Sequence, residues 1–287
     1  MSTEPRATRD LLRALAADAP SRAALVTLAL VAGAVALAPF VAPYDPNAMR
    51  DFVRDQFLAP SWSHPFGTDS AGRDVLSRVL HGGRVSLGVA TLAVAVSVLF
   101  GTLWGAAAGY ANRAVDDVMM RCTDAVMALP RILLLILVAS VLREPTAAAL
   151  ALLLGVTSWP AMSRVVRAEV RALRSRDYVI ASQALGATWW RRLRTHLLPA
   201  VLPLVIVNAT LAFASVIPLE ATLSFLGLGL HPPTPSWGNI LLDGTDQVAA
   251  HWWLVLFPAL AIVVTVVAVT ALGDRLQQLL DPRGAAL

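Results

Sequence analysis

The sequence of 287 residues contains no lysine and a single cysteine, Cys122. Without lysine it cannot form a glycine-rich phosphate loop of the GxxxxGKS or GxxxxGKT type, so any nucleotide that drives its activity must bind to another chain. One cysteine excludes both an intramolecular disulfide and a cysteine-rich metal site. Charged residues are also scarce, at 15% of the chain, whereas a soluble domain has about 25%.

The apolar segments lack the side chains that catalysis requires. The five histidines show no metal-ligand spacing, which argues against a metal site. Ser97, Ser140 and Ser158 have no histidine or lysine beside them in a span, so an intramembrane serine protease is not predicted. No span carries a central acidic pair, which disfavours an aspartyl protease and a proton-coupled carrier. We expect a protein without a cofactor that is not an enzyme.

Apolar residues dominate instead, at 57% of the chain with a mean hydropathy of +0.65. This composition predicts an all-α polytopic membrane protein, because a helix crosses the bilayer core with about 20 apolar residues. The stretch 221–242 is also uncharged, but its glycines and prolines favour irregular or re-entrant structure. Six segments are predicted to span: 23–43 as an uncleaved anchor, 85–112, 125–142, 145–163, 199–219 and 252–273.

All 23 basic residues are arginines, and their distribution predicts the orientation. With the N-terminus inside, sixteen arginines fall in cytoplasmic segments and six outside, as the positive-inside rule requires. Because the arginines lie between spans, topology explains them better than nucleic acid binding. The predicted organisation is a cytoplasmic segment (1–22), the first span (23–43), an extracytoplasmic segment (44–84), a five-helix domain (85–273) that includes a cytoplasmic loop (164–198), and a cytoplasmic tail (274–287).

The extracytoplasmic segment ends in a predicted amphipathic helix. Thr68 or Asp69 would cap its start, and the pair Gly82-Gly83 would end it. Such a helix could lie flat on the membrane surface. Within it, the i,i+4 spacing predicts ion pairs between Asp69 and Arg73 and between Asp74 and Arg78.

Two charged residues lie close to or within spans, and each allows two interpretations. Glu220 is either a polar contact in a translocation path or an interfacial carboxylate that pairs with an outer arginine, and the second is favoured. Arg131 follows Pro130, which suits a helix start, and its long side chain is expected to reach the headgroups. Trp189, Trp190, Trp252 and Trp253 are interpreted as interfacial anchors.

The arginine-rich stretch 163–199 shows the most internal pattern. Asp177 can cap a helix that runs to Leu185, Gly186 suits the left-handed position after it, and Thr188 can cap a further turn that stops at Pro199. A capped helical insert on the cytoplasmic side predicts a docking surface for a partner. The alternative is a loop that only fixes topology and holds anionic lipid.

The run DYVIASQALGATWWRRLRTHLLP in this stretch resembles the signature loop of ABC importer permeases of the dipeptide, oligopeptide and nickel class. Gly186, Leu198 and Pro199 fit that pattern, whereas Ile180, Ala181 and Ser182 stand at its EAA positions and His196 replaces an isoleucine. The stretches 64–87, 220–238 and 273–283 resemble the same class, and most closely its "C" type of permease.

The resemblance implies a type I ABC importer permease with six spans in a bacterial inner membrane. It further implies a pore shared with a homologous permease as a heterodimer, two ATPase subunits inside, an extracytoplasmic substrate-binding protein, and di- or oligopeptides as cargo. Nickel, opines or oligosaccharides as cargo, and less readily a secondary carrier, stay open as alternatives. The implied contact with the ATPase consists of Asp177, Tyr178, Ala181, Ser182, Leu185, Gly186, His196 and Pro199. The implied outer gate or binding-protein contact consists of Asp69, Arg73, Asp74, Glu220 and Trp237.

Overall fold

The computed structural model describes Leu15 and residues 18–49, 54–142 and 145–280. Most of the predicted terminal segments, and Arg50, Arg143 and Arg283, lie outside the described residues. The described part is helical, without β-strands apart from one isolated bridge between Thr68 and Asp74. Its helices are α1 (Ala19–Ala36), α2 (Ala38–Val41), α3 (Val75–Tyr110), α4 (Arg113–Ala128), α5 (Arg131–Leu142), α6 (Ala147–Arg174), α7 (Asp177–Ala184), α8 (Trp189–Arg192), α9 (Leu198–Phe225), α10 (Trp237–Gly244) and α11 (Trp253–Leu280).

Five of the described helices are long and apolar enough to cross a membrane: α1, α3, α6, the run from α8 through α9, and α11. The third predicted span is not a continuous helix, because α4 and α5 meet at an angle of 76°. Leu129 is extended there (φ −86°, ψ 132°), since a residue before proline is disfavoured in the helical region. Helix α5 starts at Arg131, directly after Pro130, as predicted. Counted as one broken span, the pair brings the number of spans to six.

Helix α3 is a single helix of 36 residues, so the prediction of a separate amphipathic helix was wrong. Asp74 is its N-cap rather than Thr68 or Asp69, because the Asp74 carboxylate accepts from the amide of Ser77 at 2.8 Å. Gly82 and Gly83 do not end the helix. A Cβ at Gly83 would lie 2.9 Å from the Trp237 ring, so this glycine lets α10 approach the helix closely. The start of α3 is therefore packed against protein and does not lie on a membrane surface.

The core of the bundle is the contact between α3 and α6. Gly101, Gly105 and Gly109 repeat every four residues along α3 and face the backbone of α6, where a Cβ at Gly101 would come within 2.8 Å of the Trp159 carbonyl oxygen. Gly155 of α6 faces the carbonyl of Ala93 in the same way, at 2.7 Å. Small residues let membrane helices pack backbone to backbone, where dispersion and not the hydrophobic effect holds them together.

The stretch 221–242 is interrupted, as predicted. Helix α9 continues to Phe225 and then ends at Gly227, which has a φ of +72°. The short helix α10 begins after Ser236, whose hydroxyl accepts from the amide of Asn239 while the Asn239 side chain accepts from the amide of Ser236. Helix α10 packs against α9 and α11, so its backbone is enclosed by protein.

Candidate functional sites at the two ends of the bundle

Helix α7 projects from one end of the bundle as a short helix outside the spans. Helix α6 extends to Arg174, so the first part of the predicted cytoplasmic loop is a continuation of the fourth span. Asp177 is the first residue of α7 and not its cap, since Arg176 occupies the N-cap position without a side-chain hydrogen bond. The Asp177 carboxylate still lies in the first turn, where it interacts favourably with the helix dipole.

The C-terminal end of α7 has the predicted left-handed glycine. Gly186 has a φ of +79°; its amide donates to the Gln183 carbonyl at 2.9 Å, and the amide of Ala187 donates to the Ser182 carbonyl at 3.1 Å. This pair of bonds is a Schellman motif. No heavy atom lies within 4 Å of a Cβ built at Gly186, so the position requires glycine for its backbone conformation and not for space.

Thr188 caps α8 as predicted, with its hydroxyl 3.4 Å from the amide of Arg191. Pro199 does not end the helix, however, because α8 continues through a π-helical turn, Leu193–Leu197, into α9. Proline removes one backbone donor and crowds the preceding turn. The wider π turn lies directly before Pro199, and the helix continues through the proline.

One face of α7 is buried and the other is exposed to solvent. Val179 is 2% exposed and packs with Val166, Leu193 and Leu197 of α6 and the π turn. Tyr178, Ile180 and Leu185 are 47%, 53% and 88% exposed. Of the other predicted coupling residues, Asp177, Ala181, Gly186 and Pro199 are exposed, and Ser182 and His196 are half-buried. Exposed apolar side chains on a helix outside the spans form a surface that suits a protein partner.

Two side-chain contacts that the sequence did not predict fix α7 to the spans. Arg192 is buried, donates to the Gln183 amide oxygen of α7, and lies over the Tyr110 ring at the end of α3 at 5.3 Å. The Tyr178 ring contacts the His196 ring with centroids 5.8 Å apart. These contacts connect α7 to the end of α3 and to the π turn that leads into α9.

Several of the arginines near α7 are occupied inside the chain. The buried Asp116 of α4 accepts from Arg167 and, at 2.8 Å, from Arg171. Arg174 donates to the last carbonyls of α3, including that of Ala111 at 3.1 Å. These arginines hold α4, α6 and α3 together, so only exposed ones such as Arg176 and Arg191 are available to a partner.

The opposite end of the bundle carries a buried ionic cluster. The Asp69 carboxylate accepts from Arg73 Nε at 2.7 Å, as predicted, and from Arg78 Nη1 at 2.5 Å. The predicted pair of Asp74 with Arg78 does not form; Arg78 binds Asp243 of α10 at 2.8 Å instead, and Asp74 binds His64 Nδ1 at 2.9 Å. The cluster ties the segment before α3 to α10.

Glu220 and Trp237 both form hydrogen bonds with Ser86 of α3. Glu220 is 0% exposed and accepts from the hydroxyls of Ser86 at 2.9 Å and Ser224 at 2.8 Å, so the favoured interpretation as an interfacial partner of an outer arginine was wrong. The Trp237 amide donates to the same Ser86 oxygen at 3.1 Å, and its indole donates to the Val79 carbonyl at 2.9 Å. Glu220 therefore joins α3, α9 and α10 within the chain.

The chain matches the model of a known family, the binding-protein-dependent transport system inner membrane component, over residues 101–285. It belongs to this family. Similar proteins include the dipeptide transport system permease protein DppC of Bacillus subtilis, 38% identical over 96% of this chain and 86% of the relative. A putative peptide transport system permease protein of Brucella suis is 41% identical over 91% and 87%. The di/tripeptide transport system permease protein DppC of Pseudomonas aeruginosa is 36% identical over 97% and 93%.

Membership of the transport-system family confirms the predicted membrane permease with an all-α fold. The protein is a non-catalytic, multi-pass component of a binding-protein-dependent transporter, and a transporter of this kind works with ATPase and substrate-binding partners. In the part of the chain that the structure describes, no group of three histidine, cysteine or acidic residues is placed to hold a metal ion.

Proposed function

We propose that this chain forms half of the translocation pore of an ATP-driven importer of di- or oligopeptides and receives the force of its ATPase subunits through α7. The observation that supports this assignment best is the geometry of α7. This helix ends in a Schellman motif, is exposed on one face and contacts the spans with the other. The names of the relatives, which refer to dipeptide and peptide transport, support peptides as the cargo.

The proposed assembly contains a second, homologous permease as a heterodimeric partner, two ATPase subunits against α7, and a substrate-binding protein at the opposite end. Both termini and α7 face the cytoplasm, which the excess of arginine near α7 supports. The exposed Tyr178, Ile180 and Leu185 would enter the ATPase surface. When the ATPases close, α7 moves as a lever, and the contact of Arg192 with Gln183 and Tyr110 carries that movement into α3 and α9.

The outer residues serve a positioning role in this proposal. Asp69, Arg73, Asp74, Glu220 and Trp237 are all buried, so they cannot themselves form the contact surface for a binding protein in this arrangement. They fix the segment before α3 and the helix α10, which together would present that surface. Alternating access follows if ATP binding shifts the bundle between two arrangements while this outer framework moves as a unit.

Reconstitution tests the proposal directly. The complete complex is placed in proteoliposomes with binding protein outside and ATP inside, and uptake of a radiolabelled dipeptide is measured. Uptake should require ATP, the ATPase subunits and the binding protein. Uptake driven by an ion gradient without ATPase subunits would identify a secondary carrier, and ATP-dependent uptake of nickel or an oligosaccharide without peptide uptake would correct the cargo.

A further inference from the structure

A cavity of about 250 Å³ lies where the broken span bends, between the α4–α5 corner and α6. Its lining is apolar apart from Arg131 and the hydroxyls of Thr157 and Ser158. Arg131 is the one charged residue among the residues that line it. None of the contacts described for α7 or for the outer cluster uses this cavity.

Along both helices that border the cavity, Arg131 lies far from the end of the bundle where the two helices are connected. Arg131 precedes the last residue of α5, Leu142, by 11 positions, and Ser158 follows the first residue of α6, Ala147, by 11 positions. At 1.5 Å per residue each distance is about 16 Å, which is roughly half of the hydrocarbon thickness. Measured from these helix ends, the guanidinium therefore lies inside the bundle by about half of a bilayer core.

The guanidinium bonds to α6 within the chain, whereas the sequence favoured a side chain that extends to the headgroups. Its Nη2 donates to the Ser158 hydroxyl at 2.5 Å and to the Leu154 carbonyl at 3.3 Å, both on α6. Its Nε is buried and has no hydrogen-bond partner among the described residues. Within the same part of the chain, no carboxylate lies within ion-pair distance of Arg131.

An arginine at this depth needs an anion or water, because a cation facing hydrocarbon is costly. Charged residues inside membrane segments face a bundle interior or a water-filled cavity. In half of a pore, a cavity of this kind is a candidate for part of the translocation path. The phosphates of lipid lie at the interface, about 16 Å away along either helix, whereas a peptide passing through the pore brings a carboxylate to the guanidinium itself.

We propose that Arg131 binds the C-terminal carboxylate of the peptide during its passage through the pore. Ser158 holds one edge of the guanidinium through Nη2, and the positive charge that the group brings to the cavity suits a carboxylate. The site would bind the peptide transiently within the translocation path. This inference rests on the proposed function, since it takes a peptide as the cargo.

The test compares Arg131→Gln, which removes the charge, with Arg131→Lys, which keeps it. The matched control is Arg121→Gln, which removes an exposed arginine from the same broken span. Each complex is reconstituted with binding protein preloaded with radiolabelled dialanine, and both uptake and ATP hydrolysis are measured. Arg131→Gln should lower uptake per ATP about tenfold or more, as expected for the loss of a charge-assisted hydrogen bond. Arg131→Lys and the control should stay within about threefold of the unaltered complex, since both keep a cation at position 131.

A second measurement places the peptide in space. The photo-crosslinker p-benzoylphenylalanine is introduced at Leu134, which lines the cavity, or at Leu133, which is 59% exposed and does not line it. During turnover, labelled peptide should attach at position 134 but not at 133, and Arg131→Gln should reduce the labelling. Equal labelling at both positions, or none at 134, would overturn the proposal.

The uptake experiment separates failure of this inference from failure of the proposed function. If the unaltered complex takes up no peptide, the proposed function and the carboxylate site are both refuted. If it takes up peptide and Arg131→Gln does so equally well, only the carboxylate site is wrong. If Arg131→Gln and Arg131→Lys lose assembly or stimulated ATP hydrolysis, Arg131 has a structural role and the site is again refuted.

Discussion

At the scale of single residues, Gly186 matters for its backbone and not for its size. Its φ of +79° is accessible to glycine, tolerated by asparagine and strained for a β-branched residue. The space around a Cβ at this position is empty, so steric crowding does not complicate a substitution. Variants at this position therefore separate the conformation of the α7 end from its packing.

We predict that Gly186→Val uncouples ATP hydrolysis from uptake, whereas Gly186→Asn keeps most of the coupling. Valine should cost about 1–2 kcal/mol in the left-handed region and would release the end of α7. The measurement is uptake per ATP hydrolysed in proteoliposomes. Gly88→Val is the control, because a Cβ there also meets no atom within 4 Å but the glycine lies inside a regular helix. Normal coupling by Gly186→Val would contradict the proposed role of α7 in transmitting ATPase closure to the spans.

A second residue-scale prediction concerns the outer ionic cluster. Arg78 is buried between Asp69 and Asp243, so Arg78→Gln removes one of the two cations that these carboxylates share and leaves Arg73 as the other. Breaking a buried pair from one side costs about 3–5 kcal/mol, and the remaining Arg73 lowers that cost here. We expect a clearly lower unfolding temperature in detergent. Arg113→Gln is the control, since Arg113 meets Asp117 only at 4.0 Å and both are exposed. An unchanged unfolding temperature for Arg78→Gln would show that the cluster does not hold the outer segment.

At the scale of the helix, the contact of α3 with α6 depends on a row of glycines. We predict that Gly105→Leu destabilises the bundle, because a side chain at this position meets the Ser163 carbonyl and the Val166 side chain. Overpacking of this kind typically costs about 1–3 kcal/mol. The unfolding temperature and the yield of folded protein should both fall.

Gly88→Leu is the matched control for that experiment, since it adds the same side chain to the same helix where nothing lies within 4 Å. It should leave the unfolding temperature within error of the unaltered protein. If both variants behave alike, the close packing of α3 on α6 does not limit stability.

The helices also show which parts of the fold the sequence could predict. Spans were recognisable because the bilayer sets a minimum apolar length, which residues 85–112 and 252–273 clearly reach. The residues at which the spans end could not be predicted in the same way. Helix α6 continues through Arg167 and Arg171 because both pair with Asp116, which lies more than 50 positions earlier in the chain.

The same limit applies to the candidate sites. The turn at Gly186 and the cap at Thr188 were predicted because short-range hydrogen bonds decide them. The pair of Arg78 with Asp243 and the bonds of Glu220 to Ser86 connect residues 165 and 134 positions apart. Helical periodicity carries no information on such partners, so the local i,i+4 rule assigned Arg78 to Asp74 instead.

At the scale of the whole molecule, the two candidate sites lie at opposite ends of α3, a helix of 36 residues, or about 54 Å. Neither site can act on the other except through the bundle. The proposed ATPase contact at α7 and the framework around Glu220 are joined by α3 and α9, which reach both ends. Transport in this proposal depends on these two helices moving as rigid elements.

We predict that Leu185→Asp abolishes binding of the ATPase subunits while the permease itself stays folded. Leu185 is 88% exposed and so contributes little to packing within the chain, but a carboxylate in its place would be desolvated unpaired in an apolar interface. The measurement is co-purification of the ATPase subunits with the permease in detergent. Trp62→Asp is the control, because Trp62 is fully exposed in the segment before α3, at the other end of the bundle. If Leu185→Asp retains the ATPase and Trp62→Asp loses it, the predicted orientation is inverted, and the partner that α7 meets lies outside the cell.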